Sequence, residues 1–273
     1  MERSSCWHEE YIDFIFKNVP HQHVNDYAQA ECYDNCYVIV GTQHGVRLDP
    51  TAYLKRMREN NRHFGILHLC DEWYRDDRSY YEYADVVLRH HYVEAGPKVH
   101  TFTVGWNKGY PYTTVPKPIA ERTYTWSFSG HIDKTTRADM VRNMNTVPNG
   151  KSFFKICGEP GPHDGYALSP AMMAEMFNDT IFVPCPQGNF SIETCRLCEA
   201  LQMGALPIVE RNEYWTNLFG DHPLIQIDSW DQVPSLINEL LKDPEALELK
   251  RQQTYNWWIG HLASLQEKVV GLL

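Results

Sequence analysis

The sequence lacks an apolar run long enough to cross a membrane, and its first residues, MERSSCWHEE, lack the apolar core of a secretory signal. We therefore expect a cytoplasmic protein with no membrane span. Positive charge is also scarce: 25 Lys and Arg residues stand against 35 Asp and Glu, which gives a formal net charge of -10. An acidic chain is a poor binder of phosphate backbones, so we expect no nucleic-acid partner.

Several short motifs are missing as well. No Gly-x-Gly-x-x-Gly follows the first predicted strand, which argues against a dinucleotide-dependent epimerase or dehydrogenase. Cys195 and Cys198 form a Cys-x-x-Cys pair, but no second pair with zinc spacing accompanies it, and core packing explains it better. His90 and His91 are neighbours that would point to opposite faces of a strand. The sequence therefore predicts no metal site.

What is present is an ordinary globular composition, with 273 residues, 43% of them hydrophobic and 22% charged. Short apolar runs alternate with segments of helical spacing, and this order predicts an α/β protein with parallel sheets. The run YPYTTVPKPIAERT contains three prolines and no helical or strand period, which is typical of a linker. We accordingly expect two domains, residues 1–115 and 116–273.

The most informative stretch is TIFVPCPQGNFSIETCRLCEALQMGALPIVER, from Thr180 to Arg211. It reads as strand, loop, helix and strand, and the loop of such a unit lies at the carboxyl edge of a parallel sheet, where ligands bind. Glu193, Arg196 and Glu199 recur at three-residue steps in or near the helix. A guanidinium suits phosphate oxygens and a carboxylate suits sugar hydroxyls. The alternative is a solvated helix face with internal ion pairs.

Within that stretch, CPQGNFSIETCRLCEALQMGALPIV resembles the signature of exostosin-like glycosyltransferases. The signature has a Pro-Gly loop, here containing Gly188, then an Arg, two variable residues and a Glu-Ala pair. Its Arg and Glu fall on Arg196 and Glu199. The resemblance implies two Rossmann-like domains of the GT-B type facing across a cleft, with the Glu holding the ribose of a sugar nucleotide. The last predicted helix, from Pro244 to about Val270, is long enough to cross back to the first domain.

A second resemblance to this family lies in FGILHLCDEWYRDD, where a buried apolar run ends directly in Asp71 and Glu72. A sugar transfer with inversion needs one carboxylate to deprotonate the acceptor hydroxyl, and a neighbouring carboxylate raises the pKa of such a base. The alternative is that this segment caps a helix near Asp76 and leaves Asp71 solvated. His44, in the loop GTQHG after the first strand, is either a base, an acceptor-binding group or a surface residue. We favour Asp71 over Glu72, and either over His44.

The second half opens with TYTWSFSGHIDKTTRADMV, a predicted strand that leads through Gly130 into a helix capped by Asp133. Backbone N–H groups at the start of that helix, together with Arg137, would bind an anion. In the family that the sequence resembles, the corresponding Gly and Arg are attributed to diphosphate binding. The alternative is that Arg137 is an exposed helix residue.

Together the resemblance implies an inverting glycosyltransferase that uses a UDP-sugar and an oligosaccharide or glycoprotein glycan as acceptor. UDP-xylose is the favoured donor, because xylosyltransferase members, including viral-glycan ones, look most similar. We expect no metal requirement, since the chain has no Asp-x-Asp to hold a divalent ion against the diphosphate. The absence of a Golgi anchor favours a viral or microbial enzyme. The alternatives are a UDP-glucuronic acid or UDP-galactose donor, or a carbohydrate-binding protein without catalytic activity.

Overall fold

A computed structural model of the chain describes residues 8–20, 35–41, 49–92, 96–148, 150–157 and 168–272. The chain divides into two compact units. Unit 1 comprises residues 1–104 and 262–273, and unit 2 comprises residues 105–261. The change of unit therefore comes just before the proline-containing run that is predicted to be a linker. Among the helices in the described ranges, none has the length and apolar character that a membrane span requires.

Unit 1 is built on a parallel sheet with strand order β1-β2-β3-β4. Its elements are helix α1 (Glu9–Ile15), β1 (Cys36–Gly41), helix α2 (Thr51–Glu59), β2 (Phe64–Leu69), β3 (Val86–Arg89) and β4 (Val99–Thr101). Every residue of β2 and β3 is buried, as expected for inner strands of a parallel sheet covered on both faces. A side chain would not fit at Gly65, because a Cβ there would stand 2.4 Å from the ring of Tyr37.

Unit 2 is built on a second parallel sheet with strand order β6-β5-β7-β8-β9. Its strands are β5 (Tyr124–Gly130), β6 (Ser152–Ile156), β7 (Thr180–Pro184), β8 (Leu206–Glu210) and β9 (Ile225–Ile227). Its helices are α3 (Arg137–Met144), α4 (Pro170–Asn178), α5 (Cys195–Gln202), α6 (Glu213–Phe219), α7 (Val233–Leu240) and α8 (Pro244–Val270), the last of which extends into the residues of unit 1. Trp126, Phe128 and Phe182 lie at the centre of its core.

The two parallel sheets confirm the predicted α/β class. The predicted start of α3 is wrong: the helix begins at Arg137 with Thr136 as its cap, and Asp133 lies in the preceding turn. Thr135 has a φ of 37°, outside the helical region, so the chain cannot become helical before it. This late start places Arg137 at the first turn of α3.

Arg122 is a buried cation that connects several backbone segments of unit 2. Its guanidinium donates to the backbone oxygens of Lys117, Phe177, Thr180 and Met203 at 2.6–3.1 Å. Burial lowers the pKa of Arg122 to about 9. The Phe177 carbonyl lies near the end of α4, the Thr180 carbonyl at the start of β7 and the Met203 carbonyl just after α5. Arg122 therefore fixes β7 relative to α4 and α5.

Candidate functional site

Arg196 lies in the first turn of α5, beside the carboxyl end of β5. Its side chain is only 8% exposed, its Nη2 donates to the Ser129 carbonyl at 2.9 Å, and its guanidinium carbon lies 4.5 Å from the centre of the Phe128 ring. Burial lowers the pKa of the guanidinium, although Cys185 and Glu199 raise it. The alternative in which this helix face is a solvated row of charges is wrong, because Glu193 and Glu199 are also buried.

Polar atoms at the start of α5 and α3 have no hydrogen-bond partner in the described part of the chain. Neither Arg196 Nε nor the hydroxyl of the cap residue Thr194 has a hydrogen-bond partner among the described residues, and both atoms are buried. The same holds for the hydroxyl of Thr136, which caps α3. A buried donor without a partner costs about 1–3 kcal/mol, and more when it is charged. An anionic ligand at this edge would satisfy these groups.

Gly130 ends β5 directly against this cation. A Cβ atom built on Gly130 would stand 2.7 Å from Arg196 Nη2 and 3.3 Å from the Phe128 ring. Any side chain would therefore displace the guanidinium or the ring beneath it. The close approach of Arg196 thus explains why position 130 is a glycine.

Glu199 lies one turn further along α5 and is only 3% exposed. Its Oε1 accepts from the side-chain amide of Asn107 at 2.9 Å and from the Asn107 backbone N–H at 3.4 Å. The Tyr110 hydroxyl donates to the Glu199 carbonyl at 2.7 Å. Burial raises the pKa of the carboxyl, and the bonds from Asn107 and the Arg196 charge lower it in part. A buried carboxylate with a fixed rotamer can accept hydrogen bonds from ligand hydroxyls.

Arg137 has a different environment from Arg196. It is 5% exposed, so the alternative of an exposed helix residue is wrong. Its Nε donates to the Gln187 carbonyl at 3.1 Å and its Nη1 to the His131 carbonyl at 3.0 Å. The side chain therefore ties the loop after β5 to the loop after β7. Gly188, in that second loop, is buried and closes a turn by donating its N–H to the Ser191 carbonyl at 3.0 Å.

The carboxyl end of β2 in unit 1 carries Asp71, which is buried and paired with a buried arginine. Its Oδ2 lies 3.3 Å from Arg89 Nη2, and its Oδ1 accepts the backbone N–H groups of Arg75 at 2.9 Å and Asp76 at 3.3 Å. The alternative in which Asp71 is a solvated residue is wrong, because Asp71 is buried. Glu72, the next residue, is partly exposed.

A buried histidine lies beside this pair in unit 1. His68 Nδ1 shares a hydrogen bond of 2.5 Å with the Tyr81 hydroxyl, and Nε2 lies 3.0 Å from Asp76 Oδ2. Arg89 Nη1 also donates to the Tyr81 hydroxyl, at 3.3 Å. Burial raises the pKa of Tyr81 to about 12, so its hydroxyl stays protonated at neutral pH. These contacts join His68 and Asp71 into one network.

The third predicted catalytic residue, His44, lies outside the described residues. The structure adds partners that the sequence analysis missed, namely Asn107, Tyr110, Ser129, His68 and Arg89. Ser129 directly precedes Gly130 and His68 lies three residues before Asp71, whereas Asn107, Tyr110 and Arg89 are far in sequence from the residues that they contact. Arg89 is the last residue of β3, which pairs in parallel with β2. Because the carboxyl ends of neighbouring parallel strands lie at the same edge of the sheet, this position could have identified Arg89 from the sequence.

Comparisons with known proteins identify the fold alone. No protein-family model and no curated sequence matches the chain. Solved structures that share its fold include the following three. TarM has a TM-score of 0.52 at 13% identity over 86% of this chain, which spans only 54% of TarM. Anabaena Alr3699/HepE in complex with UDP has a TM-score of 0.52 at 10% identity, covering 89% of this chain and 79% of its own. A DNA-modifying β-glucosyltransferase, studied with and without uridine diphosphoglucose, has a TM-score of 0.52 at 11% identity and covers 97% and 93%.

Proposed function

We propose that this protein is a glycosyltransferase that takes its donor from a UDP-sugar. The observation that carries this proposal is the buried Arg196 at the start of α5, with Nε unpartnered among the described residues, next to a glycine at the carboxyl end of β5. A buried cation at a helix start and sheet edge is suited to phosphate. The fold is shared with solved structures that include a β-glucosyltransferase studied with uridine diphosphoglucose and a protein in complex with UDP.

In this proposal unit 2 holds the donor and unit 1 holds the acceptor. Arg196 and the N–H groups at the start of α5 neutralise the diphosphate as it leaves, which is where negative charge develops. Glu199 accepts the hydroxyls of the ribose. Arg137 and Gly188 hold the loop after β7 in shape, since Arg137 bonds the Gln187 carbonyl in this loop and the His131 carbonyl in the loop after β5.

The transfer would proceed by single displacement with inversion. The acceptor hydroxyl attacks the anomeric carbon, its proton passes to a carboxylate, and the bond to the diphosphate oxygen breaks. Asp71 and Glu72 are the two carboxylates that end β2. Glu72 is partly exposed, whereas Asp71 is engaged by Arg89 and two N–H groups. We keep both as candidates and treat UDP-xylose, a glycan acceptor and independence of an added divalent metal as parts of the proposal.

A second function has one observation in its favour. Asp71 and Arg89 form a buried ion pair, and a protein without catalytic activity would also need this pair to avoid an uncompensated buried charge. A carbohydrate-binding protein that recognises UDP-sugars or glycans without turnover would retain Arg196 and Asp71 and release no nucleotide.

A donor-hydrolysis screen separates these readings. Purified protein is incubated with UDP-xylose, UDP-glucuronic acid, UDP-galactose and GDP-sugars, with Mg²⁺ or with EDTA present during the assay, and released nucleotide is measured. We expect release from one UDP-sugar in both buffers, and its loss in Arg196→Ala. Arg211→Ala is the matched control, because Arg211 pairs with Asp228 at the surface.

Binding without release, lost in Arg196→Ala, would favour the carbohydrate-binding function. Neither binding nor release of any sugar nucleotide would refute the donor site on α5.

A further inference from the structure

Unit 1 contains a cluster of three metal-ligating side chains that the proposed sugar transfer does not use. One ligand atom from each of His8, Cys70 and His90 lies within 4.8 Å of the other two. His8 caps α1, while Cys70 and His90 directly follow the adjacent strands β2 and β3. Three separate segments of unit 1 therefore bring their donors to one point.

His90 gives independent support for a ligand at this point. Its side chain is completely buried, and neither ring nitrogen has a hydrogen-bond partner among the described residues. The ring is surrounded by Phe102 at 4.6 Å and His8 at 4.9 Å between centroids. A buried imidazole with neither nitrogen hydrogen-bonded costs free energy, and an imidazole nitrogen is a common metal ligand.

The backbone at Cys70 is also unusual. Its φ of 65° lies in the left-handed region, which residues other than glycine seldom adopt. Such conformations persist where the surrounding structure requires them, and they concentrate at functional sites. Here the turn follows directly from the end of β2.

We propose that His8, Cys70 and His90 bind one zinc-class transition-metal ion. A thiolate with two imidazoles is a donor set that Zn²⁺ accepts in tetrahedral geometry, and Mg²⁺ and Ca²⁺ prefer oxygen donors. Zinc bonds of about 2.0–2.3 Å separate tetrahedral donors by about 3.3–3.6 Å, so no pair must close by more than about 1.5 Å. Three donors leave the fourth position to a water molecule. The site would cross-link α1 to the edge of the unit 1 sheet.

This site is distinct from the second group of potential ligands in unit 1, formed by His68, Asp71 and Asp76. There both ring nitrogens of His68 are engaged, by Tyr81 and Asp76, and Asp71 is paired with Arg89. A metal at that group would have to break these bonds. No such competition exists for the ring nitrogens of His90 within the part of the chain that the structure describes.

The test measures metal content in the full-length protein. Protein expressed in zinc-supplemented medium is purified and analysed by mass spectrometry of its elements. We expect about one zinc per chain in the unmodified protein and a loss of at least tenfold in Cys70→Ser and His90→Ala. Cys36→Ser, in β1 of the same unit, and His63→Ala, an exposed histidine, serve as matched controls that should retain the metal.

A second measurement remains informative if His90→Ala fails to fold. Chelated protein is titrated with Co²⁺, and the near-ultraviolet charge-transfer band of a thiolate–cobalt bond is recorded. We expect the band in the unmodified protein and in Cys36→Ser, and its absence in Cys70→Ser, whose side chain is only partly buried. A protein that binds neither ion, or a cobalt band unchanged in Cys70→Ser, would overturn the proposal. Because neither readout involves sugar transfer, this failure is separate from failure of the proposed function.

Discussion

The Nη2 atom of Arg196 lies 2.7 Å from the position that a Cβ on Gly130 would occupy. The glycine at the end of β5 and the arginine at the start of α5 are therefore one structural unit. The same guanidinium donates to the carbonyl of Ser129, the residue before that glycine. The strand end thus positions the cation that we assign to the donor diphosphate.

The first prediction concerns Gly130→Ala. The added methyl group would force the guanidinium away from the sheet edge, so we expect UDP affinity to fall by at least tenfold while the protein stays folded. Isothermal titration with UDP and a thermal melt measure the two effects. Gly260→Ala is the matched control, because a Cβ there meets nothing within 4 Å. That control should bind UDP normally and gain up to about 1 kcal/mol of helix stability.

The second prediction concerns Arg196→Lys, which keeps the positive charge but loses the planar fork. An ammonium group cannot bond the Ser129 carbonyl and two phosphate oxygens in the same geometry. We expect UDP affinity between those of the unmodified protein and Arg196→Ala, with a loss of about tenfold. Equal affinities of Arg196→Lys and Arg196→Ala for UDP would show that charge at this position contributes nothing to binding.

The third prediction concerns Asp71→Asn. Removing the carboxylate charge leaves Arg89 buried without its counter-ion, and breaking a buried pair in this way costs about 3–5 kcal/mol. Urea unfolding of unit 1 should show this loss. Asp228→Asn, which breaks the exposed pair with Arg211, should leave the urea unfolding curve nearly unchanged, because solvent screens that pair. Similar costs for the two variants would contradict the structural role of Asp71.

The fourth prediction uses Glu72→Gln to identify the base. Glu72 is partly exposed, so its replacement should leave the melting temperature nearly unchanged. If Glu72 accepts the proton, we expect nucleotide release to fall by 10²-fold or more, as removal of a general base does. A variant with full activity would exclude Glu72 and leave Asp71 as the candidate. Activity is measured with the donor found in the hydrolysis screen.

The fifth prediction concerns the pH dependence of stability at Glu199. Burial raises the pKa of this carboxyl in the folded protein, so the folded state holds its proton more tightly than the unfolded state does. The stability of the unmodified protein should therefore fall as the pH rises from the ordinary value of 4.5 through the raised pKa. Glu199→Gln removes this titration and retains an acceptor for Asn107.

We therefore expect Glu199→Gln to melt at a higher temperature than the unmodified protein at pH 7, with the difference vanishing towards pH 4.5. Melts at five pH values measure the effect. Because Gln lacks the charge that a ribose hydroxyl would favour, UDP affinity should fall in the same variant. A constant difference in melting temperature across the pH range would contradict the assigned cause.

Much of this architecture could be predicted from local patterns. The apolar runs around Ile66 and Phe182 are continuous, and continuous burial is what inner parallel strands require. The bounds of α8 agree with the prediction, since a proline at its first position favours the helix start and no further proline interrupts it. The start of α3 was not predictable, because a capping pattern at Asp133 does not reveal the left-handed backbone at Thr135.

The sequence by itself determined the α/β class and the residue types at the sheet edges, because burial period and chain order are local properties. Only the tertiary structure decided what those residues do. Spacing made Arg196 and Glu199 look like a solvated face, but their burial depends on Phe128 and Asn107, which are distant in the chain. The same holds for His8, Cys70 and His90, whose proximity is created by strand order and the position of α1. Long-range packing sets the environment of a charge, and no local pattern encodes it.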